Sequence, residues 1–117
     1  MEKKLIGTWC NPYTYEYSGE LKGFTFKKGG RCEAVNVPSL DLKSWEIKDG
    51  ALIIKGFMTG ETGEKEEYET IERILKLNDD TLRVVSKESS PRVTFMYMNA
   101  KVIKERITPQ VQKRKEK

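Results

Sequence analysis

The chain has 117 residues, no histidine and a formal net charge of +4, with 34% charged and 37% hydrophobic residues. That length is one domain's worth and supports a real core without staples or metals. The missing histidine removes most metal sites, the Ser-His and Cys-His nucleophile pairs and the usual near-neutral proton shuttle. No apolar run is long enough to span a membrane as a helix.

The positive charge is local. Residues 101–117 hold seven Lys and Arg against two Glu, a net +5, which leaves residues 1–100 at −1. A nucleic-acid binder spreads its cations over a folded face with aromatics between them. Here every aromatic lies before residue 100. The tail reads as a solvated, frayed end, with an acidic surface or partner as the alternative. No nucleic-acid partner and no cofactor is expected. No signal-peptide pattern is visible, since Met1-Glu2-Lys3-Lys4 leads straight into a strand candidate, so the chain is either cytoplasmic or trimmed of its leader.

Period-two alternation and turn residues dominate from there on. Residues 5–10 form the first strand candidate, stopped by Asn11-Pro12. Within it lies the Gly7-Thr8-Trp9 triplet. Residues 13–17 follow, with Tyr13, Tyr15 and Tyr17 on one side of an expected strand. Such a row stabilises a sheet, stacks on a sugar or meets a protein partner. Residues 21–27 carry Phe24 and Phe26 on a common face and lead to the turn Lys28-Gly29-Gly30. Residues 31–37 and 40–48 are the next strands, the second with Trp45 and Ile47 on one face.

Lys48-Asp49-Gly50 is the strongest hairpin signal, because Asp-Gly suits a type I′ turn. Residues 51–57 pair back, and 59–64 form a hairpin tip. Residues 66–77 predict a long strand with a bulge or twist, then a turn at Asn78-Asp79-Asp80. Strands at 81–88 and 92–98 complete the set, and residues 100–107 predict a short helix. Glu61, Glu64, Glu66, Glu67 and Glu69 crowd one hairpin without the alternating Asp/Asn pattern of a calcium loop, so a solvated tip is expected. Cys10 and Cys32 read as small buried hydrophobes. A bridge between them requires their strands to pair.

Eight or nine short strands in a meander close naturally into a barrel, which removes exposed edges. A two-sheet sandwich is the competitor. The expectation is an all-β, up-and-down antiparallel barrel of about eight strands over residues 1–99, with a basic helix or tail over 100–117.

Several fragments carry a resemblance: Leu5-Ile6-Gly7-Thr8-Trp9, the run from Gly23 through Lys28-Gly29-Gly30-Arg31, Asn36-Val37-Pro38-Ser39-Leu40 leading to Trp45, Asp49-Gly50-Ala51-Leu52-Ile53-Ile54, and Tyr68-Glu69-Thr70-Ile71. In that order the chain resembles the small lipocalin-like domains of Bacteroides-type secreted proteins and lipoproteins. The resemblance implies a lipocalin-like barrel and an extracytoplasmic home, and brings no catalytic residues and no established ligand. It also implies a structural plug, with Trp9 closing the barrel base and Arg92, or Arg83, packing across it as a cation–π contact.

The function expected is binding of a small apolar or amphipathic molecule, without catalysis. Phe24, Phe26, Trp45, Phe95 and Met96 are the apolar contacts expected, and Tyr13, Tyr15 and Tyr17 the hydroxyl handles. The alternative is a filled barrel serving as a protein-interaction or assembly module. A lined cavity of ~300 Å³ or more favours a ligand.

Overall fold

Eight strands hydrogen-bond in chain order, and the last returns to the first. In a computed structural model, residues 2–86 and 93–109 are described. They contain β1 (Gly7–Cys10), β2 (Gly23–Lys27), β3 (Arg31–Val35), β4 (Leu40–Lys48), β5 (Ala51–Thr59), β6 (Lys65–Leu77), β7 (Thr81–Ser86) and β8 (Thr94–Asn99). Every neighbour pair is antiparallel, and the pairings Trp9 with Asn99 and Cys10 with Met98 close the barrel. Closure leaves no long unpaired edge.

The turns follow the residues that signalled them. Lys28-Gly29-Gly30 joins β2 to β3. Asp49 and Gly50 join β4 to β5 with φ of 52° and 75°, the left-handed pair that a type I′ turn demands. Asn78 Oδ1 accepts from the Asp80 and Thr81 amides at 2.9 and 2.8 Å, pinning the β6–β7 turn. The expected irregularity in β6 is a register shift between Ile74 and Lys76. It lets Ile74 and Leu77 both pack on the core while Leu75 is exposed.

Residues 13–17 are not a strand. They lie in the helix α2 (Pro12–Ser18), after the short α1 (Glu2–Leu5). The residues that looked like strand breakers are helix caps. Asn11 Oδ1 accepts from the Tyr13 and Thr14 amides at 2.8 and 3.2 Å, and Pro12 sits in the first turn, where its missing N–H costs nothing. Gly19 ends the helix in the left-handed region, its N–H donating to the Tyr15 carbonyl. Tyr13 and Tyr17 are exposed and Tyr15 is half-buried, so the three rings form no ladder on a sheet.

The strand expected from residue 5 begins at Gly7 instead, with Leu5 closing α1. Gly7 has φ of 137°, a backbone conformation that favours glycine, where the chain turns from α1 into β1. Trp9 is buried and its Nε1 donates to the Leu5 carbonyl at 2.9 Å. The sequence thus places a large ring inside and gives its one polar atom a partner. Leu5, Phe26, Trp45, Leu52 and Leu82 fill the same half of the barrel, toward the β2–β3, β4–β5 and β6–β7 turns. Arg92 lies outside the described residues. Arg83, the alternative partner for Trp9, points its guanidinium at Met96 Sδ, 3.9 Å away, on the outer face.

The predicted C-terminal helix is α3 (Ala100–Arg106), capped by Asn99, whose side chain accepts from the Lys101 amide at 3.0 Å. It packs on β8 and β1, with Ile103 fully buried. Arg106 Nη2 lies 3.2 Å from Asp80 Oδ2, an exposed pair that links α3 to the β6–β7 turn. The cysteines are free, and both are buried. β1 and β3 are not neighbours, because β2 lies between them. Cys32 belongs to the inner core and Cys10, next to inward-facing Trp9, lies on the opposite face, where the Lys104 charge of α3 reaches it. That geometry forbids a bridge. Burial pushes both thiols up to about 11, so they behave as packing groups.

Candidate functional site

The interior of the barrel is divided. Away from Trp9, toward the β3–β4 and β5–β6 connections, lies a cavity of about 270 Å³. Phe24 of β2, Leu40 and Leu42 of β4 and Ile54 of β5 form its apolar wall. Tyr68, Thr70, Ile71 and Glu72 of β6 line it too, three of them with polar side chains, joined by Ser86 of β7 and by Phe95 and Tyr97 of β8. The period of two explains the polar set. Tyr68, Thr70 and Glu72 alternate along β6, so all three project to the inner face, while Glu67, Glu69 and Arg73 face out and are exposed.

Glu72 is the unusual member. Only 7% of its surface is exposed, and it is the one buried charged residue among those described. Leu52 of β5 and Ser86 of β7 flank it across the sheet. No hydrogen-bond donor and no Lys or Arg partner is found for its carboxyl among the described residues. Burial without a compensating charge raises its pKa from the ordinary carboxylate range to about 7. The Tyr68 and Tyr97 phenols are raised as well, first by burial and then by the Glu72 charge. The Thr70 hydroxyl is buried and has no partner.

Aromatic contacts run from this cavity into the packed half. The Phe95 and Tyr97 rings stack with centroids 6.4 Å apart, and Tyr97 meets Phe24 edge-on at 4.7 Å. Phe24 touches Phe26 at 5.1 Å, and Phe26 touches Trp45 at 5.2 Å. Only the first part of this row faces open space. Phe24 and Phe95 line the cavity. Phe26 and Trp45 are buried deeper, Trp45 with its Nε1 donating to the Lys27 carbonyl at 2.9 Å. Met96, beside inward-facing Phe95 and Tyr97, faces out toward Arg83. Tyr13, Tyr15 and Tyr17 lie on α2 and are not among the residues that line the cavity.

Sequence reasoning missed Glu72, Tyr68 and Thr70 as cavity groups. A signal was present: Tyr68, Thr70, Glu72 and Ile74 share one parity, and a charge on the parity of a core face stands out. It was hidden by the run of exposed glutamates just before it. Those glutamates are the solvated surface expected, Glu69 lying 3.6 Å from Lys55. Among the described residues no three His, Cys, Asp or Glu side chains converge on a metal position. The cavity lining has, among the described residues, one carboxyl, that of Glu72. What the arrangement can do is solvate one polar end of a molecule and bury the other.

Comparison with known proteins agrees with the barrel. The model of a family described as lipocalin-like matches residues 1–100. The chain belongs to the lipocalin-like family. Its fold is also similar to the crystal structure of a lipocalin-like protein from Bacteroides thetaiotaomicron VPI-5482, with a TM-score of 0.69. The two sequences are 24% identical, and the match covers 81% of this chain and 95% of the other, a likeness of fold. No curated protein matches the chain. The lipocalin-like family is one of binding proteins, generally without catalysis. No described helix of this lipocalin-like chain is long and apolar enough to cross a membrane.

Proposed function

We propose that this lipocalin-like protein binds a small amphipathic molecule inside the barrel and does not transform it. The observation that carries the reading is the cavity itself: about 270 Å³, mostly apolar walls and a few convergent polar groups. Ligand pockets usually run from ~300 Å³ upward, so this one lies at the small end. An apolar cavity of ~150 Å³ already accepts benzene. A ligand of about one ring with a short polar arm matches the space, and a long acyl chain does not. Phe24 and Phe95 supply apolar contact, with Tyr97, Tyr68 and Glu72 as polar handles. Similarity to lipocalin-like domains of secreted proteins supports an extracytoplasmic location, which fractionation of producing cells checks.

The test is a titration with phenethyl alcohol followed by backbone amide shifts. Saturable shifts are expected at millimolar ligand in the segments that line the cavity, strongest around Phe24, residues 68–72 and residues 95–97. Thr70→Leu, which fills the cavity with an apolar group, abolishes them while leaving the unfolding temperature near that of the parent. An absence of saturable shifts in the parent chain favours the filled-barrel reading. That second reading has its own support in Tyr13 and Tyr17, which are 60% and 71% exposed on α2. It predicts that Tyr17→Ser changes the mass of the protein in solution.

A further inference from the structure

Resting on that reading, we infer that the cavity is built for an organic cation, a monocyclic aryl-alkyl amine whose ammonium meets Glu72 and whose ring packs among Phe24, Phe95 and Tyr97. Four features of the site agree on this class. The first is Glu72, a residue more than nine-tenths buried in the cavity wall, whose carboxyl has no donor or counter-charge among the described residues. Burying an ionisable group without a partner is costly, and the cost is removed by a cation that enters from outside.

The second is the sign of the lining. Among the described residues Lys and Arg contribute nothing to it, and its one charged group is an acid. A fatty acid or other anion brought into this space sets two carboxylates against each other in a medium of low dielectric. An ammonium does the opposite. Among the described residues, the other titratable groups that feel the Glu72 charge in the cavity are the Tyr68 phenol on its own strand and the Tyr97 phenol on β8. Both are neutral at ordinary pH and accept as well as donate hydrogen bonds.

The third is the aromatic wall. Phe24, Phe95, Tyr68 and Tyr97 all line the cavity, and ring faces attract a cation most strongly when it is desolvated. The fourth is the Thr70 hydroxyl, buried two residues before Glu72 on the same face and without a partner. It offers an acceptor to a second N–H of the same ammonium. The volume limits the rest of the molecule to about one ring and a short linker. A metal ion is a poor substitute, since the one carboxyl and the uncharged hydroxyls of the described lining fall short of the oxygen set such ions need.

The experiment is calorimetry of the full chain with three ligands of one shape: phenethylamine, phenethyl alcohol and phenylacetate. At about pH 8, with Glu72 ionised, the amine is expected to bind roughly tenfold to a hundredfold tighter than the alcohol, and phenylacetate weakest. Lowering the pH through about 7 protonates Glu72. The amine then loses its advantage while the alcohol is unaffected. In Glu72→Gln the amine and the alcohol bind within about threefold of each other. Equal binding of amine and alcohol by the parent chain, tightest binding of phenylacetate, or an unchanged preference in Glu72→Gln overturns the cation inference and leaves the cavity reading standing. Saturable binding of none of the three overturns both. The ligand series and its pH profile on the parent chain decide the matter even where the variant does not fold.

Discussion

The two halves of this barrel are made from the same strands and spend their interiors differently. In the half around Trp9, each large side chain meets another, and each indole N–H has a carbonyl: Trp9 that of Leu5 and Trp45 that of Lys27. In the half around Glu72, that buried acid has no donor or counter-charge among the described residues, and the Thr70 hydroxyl is buried without a partner beside open space. Satisfied polar atoms and dense packing are what stability favours. Unsatisfied ones beside a cavity cost stability, and folds keep them where a ligand completes the site. The difference separates a region that holds the fold from a region available to function.

The strongest way to break the comparison is to cut into the packed half. Trp9→Ala removes a buried ring and leaves a cavity against Leu5, and is expected to cost ~3–5 kcal/mol in denaturant unfolding. An unchanged midpoint would mean that the ring does not hold the closed half together.

The next largest effect has the opposite sign and depends on pH. Glu72 titrates at about 7 when folded and at 4.5 in its ordinary state. A group with a raised folded pKa favours the fold below its unfolded pKa, and that contribution is lost as pH rises through the folded value. Glu72→Gln removes the loss. The variant should unfold much like the parent at about pH 4, and be more stable by on the order of 2–3 kcal/mol at about pH 8, read from unfolding curves at both. A pH-independent difference between the two chains would show that the carboxyl has found a partner.

Smaller effects sharpen the picture of α2. Asn11→Ala removes the side-chain cap and is expected to cost ~1 kcal/mol, with faster amide exchange at Tyr13 and Thr14 and none in β4 or β5. The smallest effect is at the cavity itself. Phe95→Ala trims a side chain that is 39% exposed and should cost less than ~1 kcal/mol in stability. It is nonetheless expected to weaken the proposed binding of phenethyl alcohol in the amide-shift titration. A large stability loss there would return Phe95 to the packed half.

What could be read from the chain alone was whatever is local or periodic. Alternation places Phe24 and Phe26, or Trp45 and Ile47, on one side of a strand, and Asp49-Gly50 sets a turn by backbone sterics. Those terms depend on near neighbours, so strand count, hairpins, the β6 bulge and the barrel followed from them. The error over Tyr13, Tyr15 and Tyr17 was also local. Asn11-Pro12 and Ser18-Gly19 end a strand or cap a helix equally well, and only the hydrogen bonds of the folded backbone choose.

The site was decided by tertiary structure. Whether Phe26 and Trp45 fill the interior or line a void depends on how eight inner faces meet across the barrel. The cysteines stay apart because β2 pairs between their strands and the register sends them to opposite faces. Glu72 looks in sequence like one more acid in a charged hairpin. It becomes the centre of the site only when β5, β7 and β8 close around it, because desolvation is a property of everything that surrounds a group and not of its place in the chain.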